Sequence, residues 1–167
     1  LGTVFQTEHK KILKNFSVPV VIVGQQMSGY NCVFHDDYHA FYDLTKLFLE
    51  RGRTKLGYIG AIQQDVAVGS ERYRAFCDAV RDMGHEELVG RHVTASFSIR
   101  SGYEKAGEIL ARYQDLDGLI CATDTMAAGV QQYLREQGIK VPEQILLGGQ
   151  GDAEIARVAI PSLITLH

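Results

Sequence analysis

Amides, carboxylates and hydroxyls gather behind four apolar runs of this sequence. Gln25 and Gln26 follow residues 18–24 (VPVVIVG), and Gln63, Gln64 and Asp65 come shortly after residues 56–60 (LGYIG). Thr123 and Asp124 follow residues 118–122 (GLICA), and Gln150, Gly151 and Asp152 come after residues 145–148 (ILLG). An amide or a carboxylate can make two directed hydrogen bonds, which suits the hydroxyls of a sugar or polyol. Taken singly, each of these residues is ordinary loop polarity. Converging as a set on one sheet edge, they predict a cleft for a small polar ligand.

A second pattern with chemistry in it is His35-Asp36-Asp37, a candidate for acid–base work or for a metal. The next histidine, His39, lies one helical turn away, and no third ligand is spaced to close a site. The segment therefore reads as a crossing segment and helix start, with its acids near the positive end of the helix. Neither GxGxxG nor a P-loop GxxxxGK occurs, so no nucleotide or other cofactor is expected. An enzyme whose groups come together from distant positions is the minor alternative.

The elements that must position these residues alternate. The four apolar runs are continuous and bounded by glycine or proline, the signature of parallel strands buried on both faces. Between them lie stretches of helical period. One runs from Tyr38 to Arg51, with Phe41, Leu44, Leu47 and Phe48 on one face and Gly52 as its stop. Another is expected to take Ser70 as N-cap, bury Tyr73, Phe76, Cys77 and Val80, and stop at Gly84. A third opens on Ser101 and Glu104 in capping-box spacing. The fourth is expected to start at an Asp124 cap, use Met126, Ala127, Val130 and Leu134, and stop at Gly138 before Pro142. Strand and helix in alternation give an α/β fold, an open doubly wound parallel sheet with right-handed crossovers. Such sheets bind ligands beyond the carboxyl ends of their strands, where the polar clusters fall.

Composition narrows the partners. The chain has 167 residues, enough for one good core or two small lobes, with 17 lysines and arginines against 20 acids and a net charge of −3. A surface that neutralises DNA phosphates needs the opposite balance, so this segment is not expected to grip nucleic acid by itself. Cys32, Cys77 and Cys121 have no metal-type spacing and sit among apolar neighbours, which predicts buried reduced thiols and a cytoplasmic protein. No segment approaches the roughly 20 apolar residues of a membrane span, so no membrane partner is expected.

The order of motifs carries a resemblance. VPVVIVG, HDDYHA, RGRTKLGYIG, SERYRAF, FSIRSGY, LICATDTMAAG, VPEQILLGG and IPSLITLH follow one another as in the effector-binding domains of the lactose/galactose repressor family. That family resembles periplasmic sugar-binding proteins of type I, in which two α/β lobes joined by three crossing segments close on a ligand. The resemblance implies that residues 1–31 end the N-terminal lobe, that residues 32–163 form a nearly complete C-terminal lobe, and that residues 164–167 begin the return crossing. It places the DNA-binding headpiece and about half of the N-terminal lobe outside this sequence. It further implies a homodimer that contacts operator DNA through that headpiece and senses a small sugar or sugar phosphate. A periplasmic sugar-binding protein of an uptake system is the alternative. It differs in destination rather than pocket, and three unpaired cysteines argue against an oxidising compartment.

Residue by residue, Arg72 falls where the family places an arginine that hydrogen-bonds the effector, and a guanidinium fork can hold two hydroxyls or a phosphate. Phe97 falls where an aromatic ring lies against the effector, and a sugar's C–H face suits such a ring. Thr123 and Asp124 match the polar pair after the fourth of the family's strands; because Asp124 is expected to cap its helix, Thr123 is the better ligand candidate. Two departures stand out. Gly24 and Gln25 replace an aspartate after the VPVVIV strand, and Gln150, Gly151 and Asp152 replace a pair of aspartates after ILLGG. Both changes remove carboxylates, which departs from galactoside recognition and would tolerate a more anionic ligand. A narrower resemblance, through GYIGAIQQDVAVGSERYRAF, is to the sucrose-operon repressors of Gram-positive bacteria and, more distantly, to the trehalose repressors. It implies sucrose, fructose or a phosphorylated disaccharide, with Asp65 to Ser70 leading into a helix N-terminus beside Arg72 where a phosphate would fit.

Overall fold

The computed structural model describes Val4, Phe5 and residues 7–166. Residues 1–3, residue 6 and residue 167, which the expected lobe division includes, lie outside the described residues. The elements follow the alternation read from the sequence: α1 (Thr7–Lys14), β1 (Val21–Val23), β2 (Asn31–Val33), α2 (Asp37–Glu50), β3 (Leu56–Gly60), α3 (Arg72–Asp82), β4 (His92–Thr94), α4 (Ile99–Arg112), β5 (Gly118–Cys121), α5 (Asp124–Glu136), β6 (Leu146–Gln150), α6 (Glu154–Val158) and β7 (Ile164–Leu166). A π-helical turn, Val66–Glu71, leads into α3. Five strands form one parallel sheet in the order β4-β3-β5-β6-β7. The fold is the expected doubly wound α/β type.

The run at residues 18–24 differs from expectation. Only Val21–Val23 is a strand, it pairs with β2 in a separate two-stranded sheet, and it alternates in burial, with Val21 55%, Ile22 4% and Val23 76% exposed. A continuous apolar run marks burial on both faces only where packed chain covers both, and here one face of the ribbon is bare among the described residues. β2 straddles the lobe division read at residue 31. The residues expected to begin the return crossing, 164–166, form the edge strand β7.

The helix starts also differ in detail, for one recurring reason. Ahead of α3 the capping side chain is Asp65, at the start of the π turn, rather than Ser70: its Oδ1 accepts from the Val68 amide at 3.0 Å, and its backbone carbonyl takes the Gly69 and Ser70 amides. Ser70 lies inside the π turn and donates its hydroxyl to the Val66 carbonyl. The turn closes this tightly because a Cβ at Gly69 would stand 1.9 Å from the Ile62 carbonyl oxygen. At α4 the cap is Ser98, not Ser101, and at α5 it is Thr123, not Asp124. In each case a residue in extended backbone, one to five positions earlier, satisfies the first free amides.

The core lies between the five-stranded sheet and its helices, built on Phe41, Phe48, Leu56, Tyr58, Phe76, Ile109, Leu119 and Ile120. Cys77 and Cys121 are buried in it and free of disulfides, and Cys32 is half-buried. Burial pushes both core thiols up from their ordinary range, because desolvation disfavours the thiolate. In native protein at pH 8, a thiol reagent such as DTNB is therefore expected to label Cys32 rapidly and Cys77 and Cys121 only on unfolding. Fast labelling of all three would contradict this packing. Helices α4 and α5 cross so closely that a Cβ at Gly129 would stand 1.9 Å from the Ile99 carbonyl oxygen. Gly129→Ala should therefore cost about 1–3 kcal/mol in urea unfolding, the usual range for overpacking.

Candidate functional site

The carboxyl ends of the parallel strands lie together at one edge of the sheet, where the loops leaving β3, β4 and β5 carry Asp65, Phe97 and Thr123 and β6 ends on Gln150. At the centre of this edge is Arg72, the first residue of α3. It is buried rather than a surface arginine. Its Nε and one terminal nitrogen both donate to Asp37 Oδ1, at 2.8 and 2.6 Å, and its other terminal nitrogen donates to the Ala122 carbonyl at the end of β5. Its guanidinium carbon lies 5.2 Å from the centre of the Phe41 ring.

Gln150, the last residue of β6, donates to the same Asp37 oxygen through a long 3.4 Å bond. Asp37 thus receives α3, the end of β6 and, through Arg72, the end of β5. The sequence reading took Asp37 only as an acid near a helix start and missed it as a site residue. The signal was present: in α2 it stands four and seven positions before the core residues Phe41 and Leu44, on the same face, so its carboxylate had to be buried and had to find a cation.

Two acceptor oxygens at this edge are buried and have no hydrogen-bond partner among the described residues: Asp65 Oδ2 and Gln150 Oε1. Native structures leave few such atoms, and a buried carboxylate oxygen without a donor is costly. Bordering the edge are three contiguous hollows, of about 440, 270 and 600 Å³. The first two share Gly24, Gln25 and Ala67; the second and third share His35 and Asp36. Asp65 opens on the first, Asp37 on the second and Gln150 on the third.

The remaining predicted residues separate into two groups. Gln25 lines the hollows beside Asp65, and Phe97 stands 48% exposed on the β4–α4 connection at the same edge. Asp124, by contrast, is turned to structural use. Its oxygens accept the Thr165 hydroxyl at 2.7 and 2.8 Å and the Ala153 amide at 2.9 Å, tying α5 to β7. Asp152, with φ of 44°, is held by Arg157 and donates its amide to Thr165. Thr123 Oγ1 accepts from the Met126 amide, so the capping role expected of Asp124 belongs to the residue picked as ligand. Ser70 lines none of the three hollows. No group of three metal-ligating side chains occurs among the described residues, and no described helix is long and apolar enough to cross a membrane.

A doubly wound lobe with polar groups gathered at its carboxyl edge is a small-ligand-binding architecture, and comparison with known proteins agrees. The sequence profile of the periplasmic binding protein-like domain matches residues 45–167. The chain belongs to that family, in the form carried by the transcription regulators of the lactose/galactose repressor family. It is 25% identical over 167 residues to the sucrose operon repressor of Staphylococcus xylosus, spanning all of this chain and 51% of that protein. Identity to the HTH-type transcriptional regulator IdnR of Escherichia coli is 32% over 161 residues, spanning 93% and 47%. The solved complex of the transcriptional regulator CelR with cellobiose superposes with a TM-score of 0.86 at 25% identity, over 97% of this chain and 50% of that one. The chain spans about half the length of the curated relatives it matches. Those relatives are regulators rather than enzymes.

The buried pair gives a direct test. Arg72→Ala leaves Asp37 buried without its cation, and Asp37→Ala does the converse; each should cost about 3–5 kcal/mol in urea unfolding. The double replacement Asp37→Leu with Arg72→Leu should cost less than the sum of the single leucine replacements. Additive losses would show that the two side chains are not coupled.

Proposed function

We propose that this chain is the effector-sensing part of a sugar-responsive transcriptional repressor, with the sugar seated at the carboxyl edge of the five-stranded sheet. The observation that carries this reading is the pair of buried, unpartnered acceptors, Asp65 Oδ2 and Gln150 Oε1, flanking the Arg72–Asp37 pair beside open hollows. Hydroxyl groups would supply the missing donors. Phe97 supplies an exposed ring for a sugar's C–H face, and Gln25 a further amide.

Residues 1–31 are then the end of one lobe, residues 32–163 the other, and residues 164–167 the start of the return crossing. Ligand binding biases lobe closure in a homodimer and so alters how headpieces outside this chain meet operator DNA. The ligand shifts that equilibrium only by its differential affinity for the two arrangements. Sucrose, fructose or a phosphorylated disaccharide is the effector class, supported by the similarity to a sucrose operon repressor. The reading places the protein in the cytoplasm, where buried thiols stay reduced.

Isothermal calorimetry of the full-length protein against sucrose, fructose and trehalose, free and 6-phosphorylated, tests the reading. At least one is expected to bind and raise the melting temperature by mass action. Phe97→Ala should weaken that binding by roughly 0.5–1.5 kcal/mol, the scale of an aromatic contact, without changing the melting temperature of the free protein. Unchanged affinity would remove Phe97 from the site.

A further inference from the structure

We draw no further inference here: the strongest candidate, the groove of about 310 Å³ between the end of α5, the turn before β6 and Ile160–Pro161, sets an exposed Ile160 beside Arg135 and Lys140, and nothing in the structure shows what covers it.

Discussion

A carboxylate and a guanidinium have been taken out of water together at the edge of this sheet, and much of the site's geometry follows from keeping them paired. The Coulomb gain between Asp37 and Arg72 must offset the desolvation of both, which requires short, well-directed bonds and further partners for the spare donors. Ala122, at the end of β5, supplies one such partner, and Gln150, at the end of β6, leans on the same carboxylate. One ion pair therefore sets the relative positions of α2, α3, β5 and β6. The cost of misplacing any of them is an unpaired buried charge, so the edge is rigid before any ligand arrives.

That rigidity explains the division of labour among the polar residues. Asp124 and Asp152 are spent on holding β7 and the loop after β6, while Asp65 is held by one oxygen and offers the other. A site that presents fixed acceptors to a ligand's hydroxyls loses little entropy on binding, because its own side chains are already ordered. Asp37 also begins α2 directly after the short connection that follows β2.

Much of this was legible in the sequence. The alternation of continuous apolar runs with helical periods gave the parallel sheet, and Gly52, Gly84 and Gly138 marked helix ends where positive φ is indeed found. The polar clusters after the strands fall at the carboxyl edge of the sheet, where Asp124, Asp152 and Thr123 serve the fold. Three features were hidden for physical reasons. A cap depends on which residue is in extended backbone, not only on residue type, so Ser98, Thr123 and Asp65 displaced Ser101, Asp124 and Ser70. Burial of a run depends on what covers it, so residues 18–24 read as an inner strand although Val21 and Val23 stand exposed. The pairing of Arg72 with Asp37, 35 residues apart, is a tertiary contact. Helical spacing shows that Asp37 is buried but not which cation meets it.

The central claim is that the unpartnered acceptors beside this ion pair are where the ligand sits. A crystal structure of the full-length protein with its bound sugar tests it most directly. The account predicts sugar hydroxyls within about 3 Å of both Asp65 Oδ2 and Gln150 Oε1, with the Asp37–Arg72 pair unbroken. A sugar bound elsewhere that leaves both oxygens unpartnered, or one that pulls Arg72 away from Asp37, would contradict it.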